Sequence, residues 1–380
     1  MKKIVFITGT RADYSKIKSL VTELQKKKLF KVYLFLTGMH NLKEFGSTYL
    51  QIVSDKIKNV VRFKNQKFNE PMNQVFINTH RGFTRFVKKN KPDLIIVHGD
   101  RTEALACAVV GVLSGIKVAH IEGGELSGTV DEILRHSITK LSNIHFVSTR
   151  LAKKRLIQLG EQKNLIHVVG SPDIDIALKS NLPNLDVVKK RYSITFEKYA
   201  IAILHPVTTE YDILDKQVKI FLKAIKNSKL NYILIFPNND LGVKKIVSYY
   251  KKIKSTKIKK LPSMRFEYYL TLLKNSDFII GNSSSGIIEA PYFGVPTINI
   301  GTRQKNRSDL DSIINSDFNL KELLKKINKV KKIRYVNKNF LFNYGRGDSF
   351  SKFFNIINNK DIWSFSNQKY FKDLDFDMDR

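Results

Sequence analysis

The stretch "KKIVFITG" at residues 2–9 is apolar at nearly every position after its two lysines, and "DYSKIKSLVTELQKK" follows it with helical spacing. Successive side chains of a strand point to opposite sides, so a strand apolar throughout is buried on both faces. The pattern recurs in "KVYLFLTG" (31–38), "KPDLIIVHG" (91–99), "GIKVAHIEGG" (115–124) and "NIHFVST" (143–149), with helical runs such as "TEALACAVVGVLS" between them. Buried strands alternating with helices predict a parallel sheet covered on each side. Around "HVVGSPDIDIAL" (167–178) the rhythm pauses. It resumes with "YAIAILHP" (199–206), "NYILIFPN" (231–238), "SDFIIGNSSS" (276–285) and "VPTINIG" (295–301). The expected fold is therefore α/β, with two doubly wound domains at residues 1–170 and 171–355. The tail 356–380 carries Trp363, Phe365, Tyr370 and Phe371, which predict packing, as a last helix returning to the first domain. Ligands of such folds bind beyond the carboxyl ends of the strands, so two faces opposed across a cleft would share one site.

The totals restrict the function classes. At 380 residues with 42% hydrophobic content, 25 Phe and 15 Tyr, the chain holds material for two packed cores. Its one cysteine, Cys107, lies in the apolar run "ALACAVVGVL" and reads as a small buried hydrophobe. No Cys/His spacing fits zinc. The N-terminus lacks a signal-peptide core and no run is long and apolar enough for a membrane span, which predicts a cytoplasmic protein. Lys and Arg number 66 against 34 Asp and Glu, a formal charge of +32. The lysines are dispersed, a pattern that fits solvated surfaces, and no nucleic-acid motif accompanies them; an anionic small substrate needs only a few focused charges, and no nucleic-acid partner is expected.

Several segments just after strands have chemistry to offer. "FITGTRADYSKIK" places Gly9 and Thr10 in a turn with Arg11 at a helix start, suited to a phosphate, or simply a turn closed by Asp13. The GxxxxGK[ST] spacing of a P-loop is absent. "VHGDRTEA" sets Asp100 and Arg101 beyond a buried strand. "GNSSSGIIEAPYFGVP" leads from Gly281 through three hydroxyls into a helix beginning "IIEAPYFG", a second phosphate cradle, with Glu289 one turn in and placed to accept from sugar hydroxyls. "NIGTRQKNR" offers Arg303 and Arg307 to anions, and "LHPVTTE" puts His205 at a strand end.

The segment "HIEGGELSGTVDEILRHS" (120–137) gathers Glu122, Glu125, Asp131 and Glu132 among Gly123, Gly124 and Gly128 in an otherwise basic chain. One reading makes these acids proton-transfer groups on a turn loosened by glycine. The other makes Asp131 and Glu132 first-turn helix residues, with Asp131 paired to Arg135 at i+4 and Glu125 and Glu132 merely solvated.

In this order, "GTRADY", "GMH", "HGDR", "HIEGGELSGTVDEILRHSITKLSNIH", "GSPDID", "HPVTTE", "FPNND", "PSMRFEYY" and "GNSSSGIIEAPYFGVPTINIGTRQ" resemble the hydrolysing UDP-N-acetylglucosamine 2-epimerases of bacterial sialic acid synthesis, over residues 1 to about 345. The resemblance implies two Rossmann-like domains facing a cleft, similar to the GT-B glycosyltransferases, and no metal or nicotinamide cofactor. The implied reaction takes UDP-N-acetylglucosamine and water to N-acetylmannosamine and UDP. UDP is eliminated to leave 2-acetamidoglucal, to which water adds with inversion at C2. By the family's motifs Asp100, Glu122 and Asp131 match the catalytic acids, and His205 a histidine at the leaving diphosphate. Arg11, Ser15, Arg101, His205, Asn238, Ser283, Ser284, Glu289 and Arg303 match UDP-binding positions, with Glu289 at the ribose and Ser283 and Ser284 at the phosphates. Proton transfer at C2 then falls to Asp131 or Glu122, and burial of the acids predicts raised pKa values. A homodimer or homotetramer is implied as well.

Four other readings stay open. A close relative acts on UDP-2,4-diacetamido-2,4,6-trideoxyglucose on the route to legionaminic acid. A non-hydrolysing epimerase would return UDP-N-acetylmannosamine. A GT-B glycosyltransferase would need an acceptor site, and a nucleotide-sugar binding protein would exchange no C2 proton.

Overall fold

The computed structural model describes residues 1–178, 182–330, 333, 343–370 and 372–373. Among the described residues, thirteen strands form two sheets in which every pairing is parallel. The first sheet contains β1 (Lys3–Thr8), β2 (Lys31–Leu36), β3 (Val60–Arg62), β4 (Leu94–His98), β5 (Lys117–Ile121), β6 (Ile144–Val147) and β7 (Ile166–Val168), in the order β3-β2-β1-β4-β5-β6-β7. The second contains β8 (Ala200–Ile203), β9 (Tyr232–Ile235), β10 (Ile258–Leu261), β11 (Ile279–Gly281), β12 (Thr297–Ile300) and β13 (Ile313–Ser316), in the order β10-β9-β8-β11-β12-β13. Each order reverses direction once, at β1/β4 and at β8/β11. Those reversals open the crevices where doubly wound folds place ligands.

The central strands are the apolar runs of the sequence, and both faces of each are covered. Ile4 and Phe6 of β1 pack with Leu20 and Leu24 of the helix Arg11–Lys27, while Val5 and Ile7 pack on the other side with Phe83 and Cys107, which is buried. The second sheet repeats the arrangement, with Ala202 and Leu234 on one side and Ile201 and Ile233 on the other.

The chain returns to the first domain earlier than residue 356. The helix Ser349–Asn358 already belongs to that core, where Phe353 meets Phe146 at 4.7 Å and Phe6 at 6.3 Å between ring centroids. Asp175 caps this helix by accepting the backbone N–H of Ser349 (3.1 Å) and of Phe350 (3.0 Å). Beyond it Trp363 stacks on Phe30, and Phe365 lies under the Lys117 ammonium. Phe371 lies outside the described residues. Among the described residues no helix is long and apolar enough to cross a membrane.

Candidate active site between the two sheets

The turn after β1 does not leave its N–H groups for a phosphate. Asp13 accepts from Gly9 N (2.9 Å) and Thr10 N (3.0 Å), and Thr10 accepts in return from Asp13 N (3.1 Å), a closed capping arrangement. The phosphate-cradle reading of Gly9 and Thr10 is thus corrected. Arg11 and Ser15 instead project from the helix into a cavity of about 190 Å³ between the domains. His205, Asn238, Ser283, Ser284 and Glu289 line the same cavity from the second domain. Arg11 reaches Ser263 at 2.6 Å, and its burial lowers its pKa to about 10.

The helix expected at "IIEAPYFG" is also different. Ser285–Ile288 is a single turn, and Pro291 turns the next residues, Ala290–Phe293, into a 3₁₀ segment. Glu289 stands at the junction, 4% exposed, with Oε2 lacking a hydrogen-bond partner among the described residues. A diol placed there would supply the missing donors.

Glu122 follows β5 with φ of +64°, a left-handed conformation unfavourable for a residue with a side chain. Strain at that position aims the carboxylate inward, onto Lys16 Nζ (2.8 Å), Ser171 Oγ (3.1 Å) and His98 Nε2 (3.3 Å). Burial alone would raise its pKa, but the Lys16 ammonium and His98 hold it well below the carboxylate range. The expectation of a raised value therefore fails for Glu122. Nor do the neighbouring glycines loosen this turn. A Cβ on Gly124 (φ +77°) would meet the Ala152 carbonyl at 2.5 Å, and one on Gly128 the Thr302 carbonyl at 2.2 Å. They are glycines because backbone packs against them.

Asp131 behaves in the opposite way. Burial and the nearby Asp240 raise its pKa, against the pull of Arg303 and Arg101. Its cation is not Arg135 but Arg303 of the second domain, at 3.6 Å. Arg135 turns to Asp100 and to the Glu125 carbonyl (2.9 Å). Glu125, solvated in the second of the two readings, is 5% exposed and pairs with Arg307 at 3.3 Å. Glu132 accepts the Ser127 N–H at 2.9 Å. Arg303 and Arg307 thus find their anions in the first domain, and Gly128 N–H donates to the Arg303 carbonyl (3.0 Å) beside them.

His205 sits where these groups converge. Burial and the adjacent Arg303 lower its pKa to about 3, so the ring is neutral. Nδ1 accepts the Asn238 N–H (3.2 Å), which leaves the proton on Nε2 as a donor. Asn282 fixes the His205 backbone through two bonds of 2.7 and 2.9 Å, and its own carbonyl accepts from Arg303 (3.1 Å).

Three residues that reasoning from sequence passed over belong to this constellation. Lys16 links Glu122 to Asp173, at 3.4 Å. Asp173 is buried, and burial raises its pKa well above the usual range; Lys16 opposes the shift while Glu289 and Glu122 add to it. Asp240 binds Arg101 at 2.6 Å across the cleft. Among the described residues no group of three His, Cys, Asp or Glu side chains is placed to hold a metal.

The family model for UDP-N-acetylglucosamine 2-epimerase matches residues 22–358. The UDP-N-acetylglucosamine 2-epimerase of Neisseria meningitidis serogroup B strain MC58 is 44% identical over 375 residues, 98% of this chain and 100% of the relative. The UDP-N,N'-diacetylbacillosamine 2-epimerase (hydrolyzing) of Legionella pneumophila strain Philadelphia 1 is 34% identical over 349 residues, 89% of this chain and 92% of that one. The solved structure of the Methanocaldococcus jannaschii UDP-GlcNAc 2-epimerase in complex with UDP-GlcNAc and UDP shares the fold, with a TM-score of 0.79 at 23% identity, covering 93% of this chain and 99% of that one. The GT-B-like arrangement of two Rossmann-like sheets is common to both.

Proposed function

This chain belongs to the UDP-N-acetylglucosamine 2-epimerase family, and on that premise we propose that it is the hydrolysing enzyme, converting UDP-N-acetylglucosamine and water to N-acetylmannosamine and UDP. The observation that carries this reading is a pair of carboxyls on one cleft shifted in opposite directions, Glu122 held low by the Lys16 ammonium and His98 and Asp131 raised by burial and Asp240. Epimerisation through an alkene needs that pairing, one group to take the C2 proton and another to return one to the opposite face.

In the proposed sequence Glu122 removes the C2 proton, the C1–C2 double bond forms and the C1–O bond to UDP breaks. The diphosphate leaves beside the His205 Nε2–H, Arg101 and Arg303, which stabilise its developing charge. Water then adds its oxygen to C1 and gives a proton to Asp100, while Asp131 delivers a proton to C2. Arg11, Ser15, Asn238, Ser283 and Ser284 hold the nucleotide, and Glu289 accepts from the ribose hydroxyls. We place the enzyme in the cytoplasm, at the first step of sialic acid synthesis, as a homodimer or homotetramer; a single-chain mass by light scattering would remove the oligomer.

Incubation with UDP-N-acetylglucosamine in D₂O, followed by proton NMR, tests the chemistry. Free N-acetylmannosamine deuterated at C2, with UDP, is the expected product, and Asp131→Asn abolishes it. A second substrate is favoured by the 34% identity to the diacetylbacillosamine-type relative, namely UDP-2,4-diacetamido-2,4,6-trideoxyglucose. Turnover of that sugar and not of UDP-N-acetylglucosamine would move the assignment to the legionaminic branch. Product that keeps its UDP would establish the non-hydrolysing reaction.

A further inference from the structure

The loop after β9 reaches back across the cleft. Asn239 donates its side-chain amide to Gln66 Oε1 (3.0 Å), and Asp240 accepts from Arg101 Nη1 (2.6 Å). Arg101 also lies 3.7 Å from Glu103 and acts on Asp131. The charged and titratable groups acting on Asp240 are Arg101, Arg303 and His205, and Asp240 in turn acts on Asp131. Two arginines and two carboxyls therefore share the space beside a neutral imidazole.

A diphosphate brought to Arg101 and Arg303 adds negative charge next to both carboxyls, so one of them must give way. Asp131 sits in the first turn of the twelve-residue helix Val130–Leu141 and is held by the Thr129 cap. Asp240 sits on an irregular loop two residues before Gly242, whose φ is +98°. Phosphate oxygens match a guanidinium fork two at a time, whereas Asp240 makes a single close contact.

We infer that Asp240 is a positioning residue of the diphosphate site, holding Arg101 in the cleft and yielding the guanidinium to phosphate oxygens when the nucleotide sugar binds. This deepens the proposed function and rests on it. The carboxylate is then an internal competitor of UDP. Neutralising it removes a charge-assisted bond from the unliganded side of the equilibrium and leaves only the ordering of one arginine to oppose binding.

The test is UDP affinity by titration calorimetry for wild type, Asp240→Asn, Arg101→Ala and the double variant, with Asp240→Ser in parallel and thermal melts on all. Asp240→Asn is expected to bind UDP about 3- to 10-fold more tightly, and the same substitution to change nothing once Arg101 is alanine. If the Asn variant does not melt cooperatively, Asp240→Ser is scored in its place. Equal or weaker binding by a folded variant overturns the inference, as does tightening that persists without Arg101. Wild type that binds no UDP would remove the functional reading itself, an outcome distinct from wild-type binding that Asp240 does not oppose.

Discussion

Glu122 and Asp131 stand nine positions apart on one turn and helix, and their surroundings drive them in opposite directions. Glu122 takes its partners from its own domain, the Lys16 ammonium and the His98 ring, and burial makes those contacts strong. Asp131 meets groups of the other domain, Arg303 and Asp240, whose effects oppose each other, so desolvation decides. The titration of Glu122 is therefore set within the first sheet's crevice, while that of Asp131 depends on how the second sheet faces it.

The largest effect expected from breaking this contrast is on turnover. Glu122→Gln and Asp131→Asn each remove a proton-transfer group, and loss of such a group lowers kcat by roughly 10²- to 10⁴-fold. UDP release measured across pH separates the two roles in Arg303→Met. Removing the cation that pulls Asp131 down raises its pKa further, so the limb of the pH profile owned by Asp131 moves to higher pH while the Glu122 limb stays. Movement of both limbs together would show that the acids titrate as one unit.

Stability gives the next effect. Lys16→Met leaves Glu122 and Asp173 buried without their ammonium, and breaking a buried pair from one side costs about 3–5 kcal/mol. The sign with pH depends on the direction of each shift. Glu122, depressed in the fold, contributes stability present above its unfolded pKa and lost as pH falls through the folded value. Asp131, raised in the fold, contributes stability present at low pH and lost as pH rises through its folded value. Asp131→Asn is therefore expected to raise the Tm at neutral pH and to leave it unchanged in acid. Glu122→Gln lowers it at neutral pH. Melts of both variants at pH 4 and pH 7.5 check the crossing, and two shifts of the same sign would end the contrast.

The central strands were legible because a strand buried on both faces has little choice but Val, Ile, Leu and Phe. β3, β7, β10 and β13 escaped notice, being three or four residues long and partly exposed, with Arg62, His167, Lys259 and Lys260 among them. β10 hides inside what reads as a charge run. The strand order was not legible either, since pairing β1 with β4 joins residues some ninety positions apart. Of the expected site residues, Asp100, Glu122 and His205 stand just beyond central strands, and that position is what makes them legible. Lys16 was lost among 66 basic residues, because its helix carries lysines at similar spacing on the surface. Asp173 and Asp240 lie in segments already singled out, "GSPDID" and "FPNND", yet nothing local distinguishes an acid facing the cleft from one capping a turn. Cross-cleft pairing decides it, and that is a property of two domains together.

Glu132 supplies the smallest and sharpest comparison. It shares the segment and the chemistry of Glu122, but its side chain is 35% exposed and its contacts are local: the Ser127 N–H, and His136 at 3.6 Å one turn along. Glu132→Gln keeps an oxygen for the Ser127 N–H and removes only a charge at a helix N-terminus, worth about 0.3–1 kcal/mol. The variant is expected to melt slightly earlier and to turn over within about twofold of wild type, as surface substitutions away from a site do. A fall in kcat comparable to that of Glu122→Gln would mean that burial and cross-cleft partners do not sort these acids, and Glu132 would have to be placed at the sugar beside Asp131.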